Sequence, residues 1–475
     1  MDLISLIRNL PMDLQYIITN YNPEILFTLP SPELSKYDWF KLLKMNFSLN
    51  YPKEKFTNEE IMKIYRDNII SRKFKIICHE HVTIIKLPNG SLFSSGYDYY
   101  GKLARINTGR FEFTEISGLP KTAVAEVISG EYHTIIRLRD GTLMSSGSNT
   151  FGQLGHGDKL NRISFSIIKG IPNNIIEMVC GRAHTIIRLT DGTLMSCGSG
   201  IDGQLGLGDD NDRNIFWKII GIPKNVEEVL CGPWHTVIKL TDGTLLASGY
   251  NMWGQLGLGD ERSRKTFTQI PHIPKNIAKV MCYIDHTIIQ LTNGTLMACG
   301  YNALGQLGLG HILNKKYFTE ISNIPQNIVE IASCTTHTIL RCEDGKLFGS
   351  GSNSDNELFL PDNVARYEFT EITAIPKNIA QIICSPNKTI IRLTDGTIIN
   401  SANTKTKGSP SPKMHVSNNI MDMVSCHGGT IIRLTDGTLI SCGNNRYGQL
   451  GTGTNTDNID FVRVRGIPNI LSREE

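Results

Sequence analysis

The sequence predicts a mainly β fold made of repeats, preceded by a small α-helical domain. The first observation is a recurring Asp-Gly-Thr tripeptide, or a close variant of it. Its glycine returns six times at a spacing of 51 residues and once at 41: Gly90, Gly141, Gly192, Gly243, Gly294, Gly345, Gly396 and Gly437. The second is that one unit holds four short apolar runs, and the third is that the first seventy residues follow a helical period. Four antiparallel strands in about 50 residues are typical of one β-propeller blade, so the repeats predict a propeller.

Residues 216–259 show the content of one unit. Its four apolar runs are too short and too rich in β-branched residues for helices, and they are Phe216–Ile220, Val226–Leu230, His235–Leu240 and Thr244–Ser248. The Asp242-Gly243 pair is predicted to close a hairpin between the last two runs, because glycine accepts the positive φ of a tight turn. The segment Ile222–Asn225 is predicted to be the turn between the first two runs.

A glycine-rich heptad, GQLGLGD or a near copy, follows these runs in five units and begins at Gly152, Gly203, Gly254, Gly305 and Gly448. Backbone amides in such a loop could surround a phosphate group. A phosphate loop, however, follows one strand and opens one helix, whereas this heptad recurs between β-patterned segments. We therefore interpret its glycines as structural, with positive φ and close packing where one blade meets the next. We expect no nucleotide and no other cofactor.

Histidine recurs before threonine at one position in five units, as His133, His184, His235, His286 and His337; the other three units have Val82, Lys388 and Gly429 there. Equivalent atoms of different blades lie too far apart to share a metal ion, whose ligands lie about 2 Å from it. We therefore predict buried, hydrogen-bonded histidines. The dense group Cys78-His79-Glu80-His81 lacks a second pair of ligands, so we expect no metal there. No catalytic arrangement stands out from the repeats, and we expect a protein that is not an enzyme.

Composition and charge bear on the kind of partner, although the charge balance by itself neither implies nor excludes nucleic acid. The formal net charge is +3 with no long basic run, so no nucleic acid is expected. The sequence has neither a signal-peptide pattern nor a run of about 18 apolar residues, so no membrane segment is expected. Its 11 cysteines recur largely at equivalent positions of different repeats. We expect them to be small buried residues rather than disulfides, in an intracellular protein of the cytoplasm or nucleus.

The segment HTIIRLTDGTLMSCG at 184–198, followed by GQLGLGD at 203–209, resembles the repeat of the regulator of chromosome condensation family. The resemblance covers residues 74–470. It departs from the pattern at Gly101-Lys102-Leu103 and Asn356-Glu357-Leu358, and the heptad is missing from the short seventh unit near Thr404–Pro412.

The number of blades is left open between two values. The resemblance implies a β-propeller, usually of seven blades, whereas we count eight units and favour eight. The first unit, from Phe74, lacks an opening strand in this reading. The pattern of Phe461–Arg465 predicts that the chain end supplies it, and such strand exchange would close the ring and leave no exposed sheet edge.

The predicted helical domain covers residues 1–70. Leu14, Ile17, Ile18 and Tyr21 form one apolar stripe after Pro11, and Asn22-Pro23 breaks the helix. Ile25, Leu26 and Leu29 suggest a short second helix. Ser31-Pro32 opens a third, which carries Leu34, Trp39, Leu42, Leu43 and Phe47. Thr57–Glu60 matches a capping box, followed by Ile61, Ile64 and Tyr65.

The opening of this domain is similar to an F-box. Its pattern is a Leu-Pro pair, an acidic residue and leucine, an isoleucine pair, a proline-containing break and a later tryptophan. The resemblance implies adaptor-binding residues at Leu10, Pro11, Leu14, Ile17, Ile18, Leu26 and Trp39. The alternative is a helical cap that packs its apolar stripe on the propeller rim.

Three functions follow from these resemblances. An F-box implies a Skp-type adaptor and a cullin complex, so the chain would be the substrate receptor of a cullin–RING ubiquitin ligase, with the propeller holding the target.

The repeat family implies, as the alternative, a guanine-nucleotide exchange factor or regulator of a Ran-like small GTPase. In that family, exchange relies on a wedge that protrudes from the propeller, and the uniform spacing of 51 residues leaves little room for such an insertion. A shared repeat does not by itself imply a shared activity, because activity depends on specific site residues. A propeller scaffold with a helical cap is the third.

Overall fold

The computed structural model describes residues 10–21, 25–29, 31–47, 54, 56–62, 65, 74–79, 81–98, 100–104, 111–119, 124–401, 413–416, 419–426 and 428–468. The chain divides into two compact units. The first comprises residues 1–75 and 85–89, and the second comprises residues 76–84 and 90–475. Among the described residues, no helix is long and apolar enough to cross a membrane.

The first unit is helical. It contains α1 (Met12–Tyr21), a 3₁₀ turn (Ile25–Thr28), α2 (Ser31–Leu34), α3 (Trp39–Phe47) and a helical stretch at 58–62. The predicted long third helix is wrong, because α2 ends at Leu34 and a separate helix, capped by Asp38, begins at Trp39. The Asp38 side chain accepts from the Lys41 amide (3.1 Å) and its carbonyl accepts from the Leu42 amide (3.1 Å), which caps α3. The segment 22–24 lies outside the described residues.

A small core holds the helical unit together. Its most deeply buried side chains are Leu26, Trp39, Leu42, Leu43, Ile61 and Tyr65. Trp39 stacks on Phe27 and donates its indole N–H to the Leu34 carbonyl at 2.9 Å. The predicted capping box is confirmed, since the Thr57 amide donates to Glu60 Oε2 (2.8 Å) and the Glu60 amide donates to Thr57 Oγ1 (3.2 Å).

The second unit is a propeller of eight four-stranded antiparallel sheets, each formed by four consecutive strands. The first strands of the blades are β1 (Lys75–His79), β5 (Val124–Ser129), β9 (Ile175–Cys180), β13 (Val226–Cys231), β17 (Ile277–Cys282), β21 (Ile328–Ser333), β25 (Ile379–Ser385) and β29 (Ile420–Cys426). First strands of neighbouring blades contact one another at β5–β9, β9–β13, β13–β17, β21–β25 and β25–β29. The second strands are β2 (Val82–Lys86), β6 (His133–Leu138), β10 (His184–Leu189), β14 (His235–Leu240), β18 (His286–Leu291), β22 (His337–Cys342), β26 (Lys388–Leu393) and β30 (Gly429–Leu434).

The third strands are β3 (Leu92–Gly96), β7 (Leu143–Gly147), β11 (Leu194–Gly198), β15 (Leu245–Gly249), β19 (Leu296–Gly300), β23 (Leu347–Gly351), β27 (Thr397–Asn400) and β31 (Leu439–Gly443). The outer strands are β4 (Thr114–Glu115), β8 (Arg162–Ile167), β12 (Arg213–Lys218), β16 (Arg264–Gln269), β20 (Lys315–Glu320), β24 (Arg366–Ile372), β28 (Lys413–His415) and β32 (Asn458–Arg463). The prediction of eight blades is confirmed, and seven is excluded.

The cores of the propeller lie between blades rather than inside one. One cluster joins Ile186 and Leu194 of the third blade to Val229 and Ile238 of the fourth, and all four are nearly inaccessible to solvent. Each blade therefore depends on its neighbours for burial of both faces, as expected of a repeat that cannot fold alone.

The predicted exchange of the C-terminal strand is wrong. Strand β32 pairs with β31 of its own blade, with Ile440 opposite Arg463. The run that begins at Phe216 closes the third blade as β12, and Val226 opens the fourth as β13. The segment Ile222–Asn225 is therefore a link between blades and not a hairpin turn. The first blade starts at Lys75 and has all four of its own strands, so it needs no strand from the chain end.

The ring closes with one hydrogen bond of the kind that joins other blades, such as Gly208 to Lys265, and with a second bond that the other described junctions lack. The Gly453 amide donates to the Phe111 carbonyl (2.8 Å), and the Phe113 amide donates to the Arg465 carbonyl (3.0 Å). The bridge between Glu112 and Thr452 matches the bridges at Leu207–Thr266, Leu258–Tyr317 and Leu309–Glu368. A loop of each of these blades thus pairs with the outer strand of the next.

In the described part of the chain nine cysteines are free thiols, and burial raises the pKa of Cys180 and Cys282 to about 12. This agrees with the expectation of buried, unreactive residues. Cys78 is disulfide-bonded, so the expectation is wrong at that position.

Candidate functional site

The glycines of the repeated heptad pack against the next blade. Gly203 has φ +83°, and a Cβ there would lie 2.4 Å from the Arg264 carbonyl oxygen and 2.7 Å from the Lys265 Cα. Gly152 and Gly254 meet Asn214 and Lys315 in the same way. The predicted structural role of these glycines is confirmed, because only a residue without a side chain fits between the two backbones.

The repeated histidines join blades through their side chains. His184 Nε2 lies 3.2 Å from Thr236 Oγ1 of the next blade, and that hydroxyl donates back to the Gln204 carbonyl at 3.0 Å. Because the threonine proton is used on the carbonyl, the histidine is the donor of the first bond. His133 and Thr185 form the same pair at 2.9 Å. The prediction of buried, hydrogen-bonded histidines is therefore confirmed.

These histidines are neutral. Burial lowers the pKa of His133, His184, His286 and His337 to about 3 and that of His235 to about 4. Nδ1 of His133, His184, His235 and His286 has no hydrogen-bond partner among the residues that the structure describes, so a proton there would be buried without an acceptor. The described residues contain no group of three or more possible metal ligands, and Glu80 of the 78–81 group lies outside them.

A cleft with aromatic walls opens where the loops between first and second strands meet the loops that follow the third strands. Its volume is about 510 Å³. Tyr132, Arg182 and Trp234 come from the first kind of loop in three successive blades, and the remaining lining residues are Tyr100, Ser148, Thr150, Phe151, Ala183, Ser199 and Ile201. Pockets of this size, mostly apolar with a few polar groups, are common ligand sites.

Arg182 organises one side of this cleft. Its guanidinium lies 4.6 Å from the centre of the Trp234 ring and 5.3 Å from that of Tyr132. Its Nε forms an ion pair with Glu131 Oε2 at 2.8 Å. Tyr100 meets the edge of Tyr132 with ring centres 6.0 Å apart. Ring contacts and the ion pair therefore hold the cleft residues in place before any partner binds.

The sequence patterns did not reveal this cleft. Tyr132 and Trp234 directly precede the repeated histidines, and the same position holds Ala183, Asp285 and Thr336 in other blades. The signal was the variation itself, since in these five units the residue before a constant His-Thr pair changes. Residues about 50 apart in the sequence become neighbours because successive blades pack side by side.

The structure separates the predicted adaptor-binding residues into two groups. Pro11 and Leu14 are exposed, with Leu14 45% accessible, and Leu10 and Ile18 are half-buried. Leu26 and Trp39 lie fully inside the core of the helical unit, where they stabilise it. The side chain of Ile17 lies outside the described part of the chain.

The sequence comparisons agree with the repeat. Two family models, both described as the regulator of chromosome condensation (RCC1) repeat, match residues 124–153 and 175–204, and residues 140–187 and 191–238. The ultraviolet-B receptor UVR8 of Arabidopsis thaliana is 29% identical over 256 residues, which are 53% of this chain and 58% of that protein. The X-linked retinitis pigmentosa GTPase regulator of Mus musculus is 33% identical over 49% of this chain and 29% of its own length.

The fold is shared with a solved structure. Prp20p from Saccharomyces cerevisiae matches with a TM-score of 0.56 and 14% identity, over 84% of this chain and 89% of that one. The matched region spans little more than half of UVR8 and less than a third of the mouse regulator, so the activities of those proteins do not transfer with the repeat. Residues 124–238 match the RCC1 repeat, and the chain folds into an eight-bladed β-propeller.

Proposed function

We propose that the chain is a non-catalytic protein-interaction scaffold, the substrate receptor of a cullin–RING ubiquitin ligase. The propeller cleft binds the target, and the helical unit binds a Skp-type adaptor. The observation that carries the proposal is the cleft of Tyr132, Arg182 and Trp234, because residues of these types dominate the binding energy of protein interfaces.

The helical unit supports the adaptor half of the proposal through its surface. Met12 and Leu14 of α1 are 41% and 45% accessible, although the core of this unit is already complete without them. Exposed apolar side chains on a short helix are suited to a groove in a partner protein. Leu10, Pro11 and Leu14 are therefore the contact residues that we propose, whereas Leu26 and Trp39 act by holding the unit folded.

The adaptor half is tested by co-precipitation of the full chain with a Skp-type adaptor. The double variant Leu10→Ala with Pro11→Ala is expected to weaken binding by about 2 kcal/mol or more, since interface energy is concentrated in a few apolar residues. Pro11 is exposed and Leu10 only half-buried, so the unit should stay folded. Met45→Ala, which changes an exposed residue of α3 outside the F-box pattern, is the matched control and should bind normally. If the folded native chain never captures the adaptor, the F-box interpretation is wrong and the helical cap is the remaining interpretation of this unit.

A small-GTPase regulator is the second candidate. The mouse relative is named a GTPase regulator, and Prp20p is described with its binding properties to Gsp1p and histones. Acceleration of nucleotide release from a Ran-like GTPase by the purified chain would favour this function over the receptor.

A further inference from the structure

Two aspartates lie on loops of the same kinds as those that line the cleft, in the third and fifth blades. Asp202 follows Ile201, which lines the cleft, and Asp285 occupies the position in its blade that Trp234 holds in the preceding one. Both carboxyl groups are partly buried, and burial alone raises the pKa of each. In the described part of the chain, no ion pair or hydrogen bond reaches either carboxylate.

Tyr250 lies beside the cleft, and the charges of both aspartates act on its phenol. Its amide donates to the Trp234 carbonyl at 3.0 Å, which places it directly beside the cleft wall. Asp285 lies in the loop between β17 and β18, in the blade that follows the blade of Trp234 and Tyr250. Burial raises the pKa of the Tyr250 phenol, and the charges of Asp285 and Asp202 raise it further. The Asp285 carbonyl also accepts from the Tyr301 amide at 2.8 Å, and Tyr301 meets the edge of Trp253.

The charges of this region do not balance. Arg182 is already paired with Glu131, so it does not neutralise the two aspartates. Lys102, at the far end of the same row of loops, is buried and donates to the Glu131 carbonyl at 3.0 Å. A partly buried carboxylate without a partner is costly, and a cation that binds beside it removes that cost.

We propose that the cleft binds an extended segment of a protein partner that places an apolar side chain against Phe151, Ile201 and Trp234 and a lysine or arginine beside Asp202 and Asp285. This rests on the proposed function and names the chemistry of its target. Charge selects the partner, because two negative groups repel an acidic peptide or a nucleic acid and attract a basic segment. Nearby aromatic faces add cation–π attraction for the same side chain.

The test is selection of a displayed random peptide library on the full native chain. Recovered peptides are expected to pair a basic with an apolar residue. Their affinity should fall at least tenfold for the variant Asp202→Asn with Asp285→Asn, and it should weaken with added salt. Asp210→Asn, which removes an exposed carboxylate paired with Lys265 at 2.8 Å, should bind normally. Melting temperatures confirm that each variant is folded, and both asparagines keep the shape of the side chains they replace.

The remaining outcomes separate the two proposals. Recovered peptides without lysine or arginine, or an unchanged affinity in the double asparagine variant, overturn the inference. If binding is then still lost in Phe151→Ala with Ile201→Ala, the cleft remains a protein-binding site and the proposed function stands. If no peptide is recovered at the cleft, the inference fails and target binding through the cleft fails with it, whereas the adaptor result is judged on its own.

Discussion

At the scale of single residues, neutral histidines hold neighbouring blades together. The neutral tautomer that carries its proton on Nε2 donates one hydrogen bond to the threonine of the next blade and leaves no buried N–H at Nδ1 without an acceptor. Where the repeat departs from histidine, Lys388 takes over the link, since its Nζ donates to Thr430 Oγ1 at 3.3 Å. The link is therefore kept at Lys388 without a histidine, whereas Val82 and Gly429 at the same position have no side-chain group that could make it.

The stability of the propeller should fall as the pH drops below 6.5. The unfolded histidines bind protons near their ordinary pKa of 6.5, whereas the folded ones resist protonation down to about 3 or 4. The folded state therefore binds fewer protons in this window, and each histidine removes up to about 1.4 kcal/mol of unfolding free energy per pH unit. Urea unfolding between pH 7.5 and 5 measures the slope. His79, whose pKa burial also lowers to about 3, adds to it.

The variant His235→Gln tests the assignment of this pH dependence. It should be less stable than the native chain above pH 7, because it loses the interblade link. Below pH 6.5, the slope of its unfolding free energy against pH should nevertheless be smaller, by the equivalent of about one bound proton. A native unfolding free energy that does not change between pH 7.5 and 5 would show that the buried histidines are not the source.

At the scale of elements, the sequence predicted the strands but not where a blade begins. The short β-branched runs and the Asp-Gly hairpins are local signals, and both were correct. A repeat has no intrinsic start, however, and the runs beside Pro223 look alike whether a hairpin or a link between blades joins them. The pairing of β12 with β11 shows that the segment is a link between blades. The sequence of one unit cannot predict this pairing, because it depends on contacts with neighbouring units. The cleft was missed for the same reason.

The heptad glycines should be sensitive to any side chain. Gly203→Val puts a β-branched residue at φ +83° and drives its Cβ into the Arg264 carbonyl, so we expect a loss of about 2 kcal/mol or more of unfolding free energy. Gly170→Val is the matched control, because Gly170 has φ +77° but no atom within 4 Å of its Cβ position. The difference between the two variants measures the clash itself. Saturable binding of a nucleoside triphosphate that disappears in Gly203→Val would instead contradict the structural role.

At the scale of the whole molecule, the ring is closed by loops and outer strands. The count of eight units was sufficient to predict eight blades, and the usual number for the resembling family was misleading. The closing contact could not be predicted from the pattern of Phe461–Arg465, because an outer strand and an opening strand carry the same alternation. The structure assigns this segment to the last blade and joins that blade to the first at Phe111–Phe113.

Removal of residues 460–475 should open this junction. The deletion takes away most of β32, which leaves β31 as an unpaired edge, and it removes the Arg465 carbonyl that accepts from the Phe113 amide. An unpaired edge exposes backbone groups that can pair with another chain. We therefore expect a lower melting temperature and a tendency to aggregate, measured by calorimetry and light scattering. Removal of residues 469–475 alone is the control and should leave melting unchanged, since β32 and Arg465 are kept. If the longer deletion melts like the full chain, the last outer strand does not hold the ring closed.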